Sequence, residues 1–157
     1  MSTLFHGARK LDSDGQVDDF WMLVEGDTIA ATGSGRAPDR PSASQSIDVA
    51  GNWLVPGFID LHCHGGGGHS YDDRTEEILA ARAMHRSHGT TRSVLSLVAN
   101  PLAQLRESLA VTADLAAADP TILGSHLEGP FLADGKRGAH NPAYLTPPQP
   151  LEVEELI

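Results

Sequence analysis

Two histidines separated by one residue, His62 and His64, follow a short apolar segment of the chain. Because side chains of an extended strand alternate between its two faces, both imidazoles should project from one face and Cys63 from the other. Two imidazoles on one face at the carboxyl end of a strand can share a divalent cation. His-x-His spacing also arises by chance in soluble proteins, so the pair alone does not establish a metal site.

A carboxylate occupies the matching place after a later apolar run, where the segment HLEGP ends in Glu128-Gly-Pro. A carboxylate that completes a histidine site commonly holds a catalytic Zn²⁺ and leaves one position open. The alternative is a solvated surface charge. Since ligands bind at the carboxyl ends of strands in α/β folds, the two motifs together predict that His62, His64 and Glu128 form one metal site.

His140 lies in a long loop, residues 129–150, within the segment KRGAHNP. Loops longer than about a dozen residues are usually functional or disordered. Two interpretations stay open at this point. The segment is either a polar loop with a turn at Asn141-Pro142, or a loop that folds over the strand ends and offers side chains to a polar substrate.

Three other side chains receive structural roles. His85 and His88 fall on a predicted helix outside the sheet, where solvated or helix-C-terminal positions are expected. Cys63 points away from the predicted metal and is expected to act as a small buried hydrophobe.

The elements that position these residues alternate between strands and helices from residue 54 onward. Apolar or β-branched runs predict strands over residues 58–61, 90–98 and 121–127, with helices between them and a third helix starting near residue 151. This order implies parallel strands joined by helical crossovers.

The helix termini carry their own signals. Asp73 and Glu76 have the spacing of a capping box for the first helix, which Gly89 would end. The pair Asn100-Pro101 suits the N-cap and first position of the second helix, and Asp119-Pro120 should stop it.

Residues 1–53 have a different pattern, with short strands separated by turns. The runs at 20–24 and 28–31 flank Gly26-Asp27, which suits a hairpin. A Gly-, Pro- and Ser-rich loop is predicted over residues 33–46, followed by a short strand at 47–50. This part of the chain is therefore predicted to be all-β.

Composition limits the partners and the location. The chain has 157 residues and a formal charge of -10, which argues against non-specific binding of nucleic acid. The single cysteine excludes an intramolecular disulfide and favours a reducing compartment, so a cytoplasmic location is expected. No signal-peptide-like apolar segment or stretch of about 18 apolar residues is found, so no membrane span is predicted.

Residues 55–65, VPGFIDLHCHG, resemble the first-strand signature of the amidohydrolase superfamily. Two further segments are more specific, SHLEGPF at 125–131 and KRGAHNP at 136–142. They resemble N-acetylglucosamine-6-phosphate deacetylases. The resemblance covers most of the chain and is weakest over residues 1–50.

The resemblance implies an α/β fold, a metal-dependent-hydrolase (β/α)8 TIM barrel preceded by a small β-sandwich. Residues 1–53 would be the N-terminal β-sandwich segment, and residues 54–157 the first three βα units of an incomplete barrel. Glu128 would bind the main catalytic metal, His62 and His64 a second metal position, and His140 the sugar. Zn²⁺ is the expected ion, with one or two bound, and a homodimer is the expected assembly of the full-length protein.

The implied activity belongs to amino-sugar catabolism: hydrolysis of the acetamide of N-acetylglucosamine 6-phosphate to glucosamine 6-phosphate and acetate. A metal-activated water would attack the amide carbonyl. Further histidine ligands, the proton-shuttling Asp and the phosphate-binding residues of the family match nothing in these 157 residues. We therefore expect no catalytic residue within the chain, which would be a truncated portion without activity of its own.

Two alternatives remain. The protein could be another amidohydrolase that cleaves a cyclic amide or an N-acyl amino acid, although such relatives commonly carry a carbamylated lysine where Glu128 stands. It could also be a non-catalytic fragment that requires the remainder from another chain.

Overall fold

The computed structural model describes residues 1–37 and 43–156, so part of the predicted loop at 33–46 lies outside the described residues. The chain forms two compact units, Met1–Pro56 and Gly57–Ile157. The first consists of strands and the second of strands and helices, which gives an α/β chain.

The first unit is a five-stranded sheet, with strands β1 Ser2–Asp12, β2 Gly15–Glu25, β3 Thr28–Ser34, β4 Gln45–Asp48 and β5 Trp53–Leu54. The first three strands form an antiparallel meander, while β4 and β5 both pair with β1 in parallel. The predicted hairpin is confirmed: β2 and β3 flank the turn at Gly26, whose φ of 63° suits glycine.

The second unit contains the strands β6 Phe58–Asp60, β7 Gly65–Gly66, β8 His69–Ser70, β9 Thr90–Val98 and β10 Ile122–Glu128, and the helices α1 Thr75–Ser87, α2 Leu102–Ala118 and α3 Pro150–Glu154. A parallel sheet has the order β10-β9-β6, and β7 and β8 form a short antiparallel pair. The predicted alternation of strands and helices is confirmed. The carboxyl ends of β6, β9 and β10 consequently lie at one edge of the sheet.

Strand β9 lies between β6 and β10 and is buried on both faces, as expected for the central strand of a parallel sheet. Leu95, Ser96 and Leu97 are all fully buried. The leucines join a cluster of side chains from α1, α2 and β10, namely Ile78, Ala81, Leu105 and Ile122, together with Tyr71 and Leu156. This core fixes the strand from which several site contacts are made.

The predicted capping box of α1 is wrong. The helix begins at Thr75, its N-cap residue is Arg74, and no side chain caps it. Asp73 therefore lies one residue too early to bond the first turn. Its end agrees with the prediction, because Gly89 follows with a φ of 97°.

The predicted N-cap of α2 is also wrong. Pro101 takes that position without a side-chain cap, whereas the Asn100 amide donates to the Asp72 carboxylate at 3.2 Å. Asp72 also accepts a hydrogen bond from the backbone N–H of Val98 at 3.1 Å. The polar side chains here secure the end of β9 instead of the start of the helix. Asp119 ends α2, as predicted.

Among the described residues, no helix combines the length and the apolar character that a bilayer span requires.

The buried core gives a stability prediction. Leu97→Ala removes a side chain with 0% exposure and should lower the free energy of unfolding by about 2–5 kcal/mol, through lost burial and a cavity. The matched control is Leu123→Ala, because Leu123 is 46% exposed on the neighbouring strand, and its cost should stay below about 1 kcal/mol. Urea unfolding of both variants measures the difference. Equal losses would contradict the assignment of the core.

Candidate functional site

His62, His64 and Glu128 meet at the carboxyl edge of the parallel sheet. Glu128 Oε2 lies 2.7 Å from His64 Nε2 and 3.0 Å from His62 Nε2, and the two Nε2 atoms are 3.3 Å apart. The predicted convergence of the three side chains is therefore present. Their role as metal ligands stays a prediction.

The two histidines reach the site from an irregular segment, because β6 ends at Asp60. The Asp60 carboxylate accepts a hydrogen bond from the backbone N–H of His62 at 3.2 Å, and the N–H of Cys63 donates to Ser96 Oγ at 3.2 Å. These bonds hold the segment where strand pairing has stopped. The imidazoles still share one side, so the inference from strand alternation reached the correct arrangement although the segment is not a strand.

The orientation of His64 leaves an acceptor facing the carboxylate. His64 Nδ1 lies 3.0 Å from the carbonyl oxygen of Ser96, which can only accept, so Nδ1 carries the proton in the neutral ring. Nε2 then presents a lone pair to Glu128 Oε2, which is also an acceptor. Two acceptors at hydrogen-bond distance need a proton or a cation between them. The two imidazole nitrogens and the carboxylate oxygen are thus the kinds of ligand atom that bind a divalent cation such as zinc.

Glu128 is held in its charged form by the same neighbours. When the His64 and His62 rings carry protons on Nε2, their hydrogen bonds to the carboxylate, from His64 first and His62 next, lower the pKa of Glu128 to about 2. The carboxylate therefore remains an anionic ligand candidate throughout the neutral and mildly acidic pH range.

The loop after β10 folds back over the strand ends and brings His140 to the site. The backbone N–H of Ala99 donates to His140 Nδ1 at 3.1 Å, so Nε2 carries the proton in the neutral ring. That Nε2 lies 3.5 Å from Glu128 Oε1, and the side chain is only 9% exposed. Arg137 fixes the loop by donating to the His140 carbonyl at 2.9 Å. Of the two interpretations of the loop, the geometry agrees with the covering loop.

A cavity of about 490 Å³ opens beside these residues. Its polar lining includes His64, Asn100, Glu128, Lys136, Arg137 and His140. This volume suits a small molecule, and the convergence of basic, amide and carboxylate groups suits a polar ligand.

His126 is a site neighbour that the sequence reasoning did not single out. Its ring centroid is 4.9 Å from that of His62, and its Nδ1 lies 3.2 Å from Ser96 Oγ. It precedes Glu128 by two residues on β10, and the alternation of strand side chains could have predicted that both share a face.

His85 lies in the last turn of α1 and His88 is exposed just after it, as expected. The contacts of His85 and the role expected for Cys63 need correction. His85 is half-buried, and its Nε2 lies 2.9 Å from the carbonyl oxygen of Gly65 and 3.2 Å from Cys63 Sγ. Cys63 does point away from Glu128, but its thiol is in polar contact instead of acting as an inert hydrophobe. Both corrections come from the packing of α1 against the segment that follows β6.

The curated proteins that are similar to this chain include two deacetylases of N-acetylated amino-sugar phosphates. The chain is 36% identical over 115 residues to an N-acetylglucosamine-6-phosphate deacetylase of Mus musculus, which covers 68% of this chain and 28% of that protein. It is 28% identical over 161 residues to an N-acetylgalactosamine-6-phosphate deacetylase of Escherichia coli O157:H7, covering 100% of this chain and 41% of that protein. No family model matches the chain.

A solved structure is similar over nearly the whole chain. It is a mutant N-acetyl-D-glucosamine-6-phosphate deacetylase from Mycobacterium smegmatis in complex with N-acetyl-D-glucosamine-6-phosphate. The TM-score is 0.88 at 32% identity, with 99% of this chain and 40% of that chain covered. The chain spans 28% and 41% of the length of the two curated relatives described above, and it belongs to the N-acetylglucosamine-6-phosphate deacetylase family.

Proposed function

We propose that the complete protein hydrolyses the acetamide of N-acetylglucosamine 6-phosphate to glucosamine 6-phosphate and acetate. The observation that carries the proposal is the meeting of His62, His64 and Glu128 beside a polar cavity covered by the His140 loop. The relatives that share this part of the chain are named for this reaction or for the same reaction on the galactosamine epimer.

Glu128 would hold the main divalent cation, and His62 and His64 an adjacent second position. Zn²⁺ is the proposed ion, since imidazole and carboxylate ligands suit it. Such a cation supplies the Lewis acidity that polarises an amide carbonyl and lowers the pKa of an attacking water. The negative charge of the Glu128 carboxylate would offset part of the positive charge of the ion.

His140 would orient the substrate. Its Nδ1 is occupied by the N–H of Ala99, so Nε2–H, which lies 3.5 Å from Glu128 Oε1, is the ring atom that would donate a hydrogen bond to the sugar. Being almost buried, the ring is held in one orientation by the loop and by this backbone contact. A donor fixed in advance loses little entropy when the substrate binds.

The complete protein would form a (β/α)8 barrel with a small β-sandwich. Residues 1–53 would supply the first part of the β-sandwich, and residues 54–157 the first three βα units of the barrel. The parallel β6, β9 and β10 with helical crossovers support the barrel, and the five-stranded sheet supports the sandwich. We further propose a cytoplasmic homodimer. The single cysteine supports the reducing location.

The test is acetate release with added Zn²⁺, measured for the complete gene product and for the 157-residue chain. The complete protein should turn over N-acetylglucosamine 6-phosphate and lose activity with a chelator. The chain alone should not turn over, because a catalytic set acts as a unit and loses most of its rate when members are missing. Running N-acetylgalactosamine 6-phosphate in parallel distinguishes the two specificities found among the relatives. Absence of turnover of both substrates by the complete protein would refute the proposal.

A further inference from the structure

A second group of metal-ligand side chains lies where Cys63 projects away from Glu128. The group consists of Asp60, Cys63 and His85, with one ligand atom of each within 4.8 Å of the others. Cys63 Sγ is 3.2 Å from His85 Nε2. Ligand atoms around one tetrahedral zinc ion are about 3.3–3.8 Å apart, given bonds of ~2.0–2.3 Å. The sulfur and the imidazole nitrogen are therefore already close to the spacing that one ion requires, and the Asp60 carboxylate lies within 4.8 Å of both.

A backbone oxygen completes the group. The Gly65 carbonyl oxygen lies 3.0 Å from Cys63 Sγ and 2.9 Å from His85 Nε2. Without an ion, the thiol and the imidazole both donate to this single oxygen. With an ion, the same oxygen is a fourth donor next to a carboxylate, a sulfur and an imidazole nitrogen.

An unpartnered buried hydroxyl points independently to a ligand at this place. Tyr71 is 1% exposed, and its hydroxyl has no hydrogen-bond partner among the described residues. A phenol hydroxyl is an O–H donor, and Cys63 and Asp60 lie close enough to Tyr71 to interact with it electrostatically. A buried donor without an acceptor costs about 1–3 kcal/mol. A metal-bound thiolate beside it would provide that acceptor.

We propose that Asp60, Cys63 and His85 bind a zinc-like divalent transition-metal ion, separate from the site at Glu128. Thiolate and imidazole together select this class of metal over Mg²⁺ or Ca²⁺, which prefer oxygen ligands. On binding, Cys63 releases its proton to solvent, and His85 moves its proton to Nδ1 and binds through Nε2. The proposal does not rest on the proposed deacetylase activity.

The ion would have a structural consequence. It would tie the end of β6, through Asp60, to the segment at Cys63 and Gly65 and to helix α1 through His85. These are the parts of the chain that hold His62 and His64 in place. Binding should therefore stabilise the folded protein by mass action.

The test uses Co²⁺ as the only added metal, with the complete gene product carrying Glu128→Gln so that the other site is weakened. We expect the near-ultraviolet thiolate-to-cobalt charge-transfer absorption to saturate with a single equivalent of Co²⁺. Cys63→Ala and Cys63→Ser should each abolish this absorption. His85→Ala should weaken Co²⁺ affinity at least tenfold, while His88→Ala, an exposed histidine at the end of the same helix, should leave it unchanged.

Thermal unfolding supplies a second readout, with circular dichroism verifying that each variant is folded. Zn²⁺ should raise the Tm of the Glu128→Gln protein and not that of the protein also carrying Cys63→Ser. Three results would each overturn the proposal. They are the absence of the charge-transfer band in the Glu128→Gln protein, a band that persists after Cys63 is replaced, and a Co²⁺ affinity that His85→Ala does not change.

Discussion

Replacing Glu128 by glutamine is expected to lower the rate of deacetylation by the complete protein by more than about 100-fold. Replacing residues that only hydrogen-bond to metal ligands already lowers metal affinity or activity by about 10–100-fold. Glutamine keeps the size of the side chain but removes the charge that lies 2.7 Å from His64 Nε2 and 3.0 Å from His62 Nε2. The neutral amide is a poorer ligand for a divalent cation. Acetate release and zinc content of the purified variant measure the two expected losses together.

The matched control is Glu107→Gln, which makes the same change of charge at an exposed position on α2. It should leave both acetate release and zinc content near the parent values. If Glu128→Gln retained full zinc content and activity, the assignment of the site would be wrong. If it lost activity but kept its zinc, Glu128 would act on the substrate and not on the metal.

Replacing Gly65 by alanine is expected to disrupt the segment that carries the two histidines. Gly65 has a φ of +134°, and an added Cβ would lie 2.1 Å from the carbonyl oxygen of His69, a backbone atom that cannot rotate away. Backbone strain and overlap together should cost about 3 kcal/mol or more. We expect a lower urea midpoint and, in the complete protein, weaker zinc binding at His62 and His64.

Gly68→Ala separates the overlap from the conformational cost. Gly68 has a φ of +88°, but an added Cβ would meet no atom within 4 Å. Only the conformational penalty of about 1–2 kcal/mol applies, and zinc binding should persist. Equal effects of the two substitutions would contradict the close approach of Gly65 and His69.

The sequence predicted the elements whose local patterns were unambiguous. The run of β-branched and apolar residues at 90–98 corresponds to β9 with the same limits, and the Gly26-Asp27 turn joins β2 to β3. Helix starts were predicted less well, since a capping side chain has a choice of partners. Asn100 bonds Asp72 across a turn, a contact that depends on where the strand and the loop meet in space.

At the candidate site, too, local sequence patterns predicted some features, whereas contacts that depend on tertiary packing could not be predicted. His62, His64 and Glu128 could be grouped because strand ends in a parallel sheet share an edge, a rule that needs no knowledge of packing. The contact of His85 with Gly65 and Cys63 could not be predicted, since it depends on how far α1 rotates against the segment after β6. Likewise, the bond between Ala99 and His140 depends on how a long loop closes.

The buried strand β9 affects the free energy with which a cation would bind to His64. Ser96 is fully buried near the carboxyl end of this strand. Its carbonyl accepts a hydrogen bond from His64 Nδ1–H, and its hydroxyl contacts the Cys63 N–H and the His126 ring. The imidazole of His64 is thereby locked in rotation and tautomer before any ion arrives. Immobilising a side chain on binding costs about 0.5–1.5 kcal/mol of free energy. For His64 this cost arises during folding and not when a ligand binds. If the proposed cation binds here, it would therefore meet a ligand whose orientation is already set instead of ordering a mobile side chain.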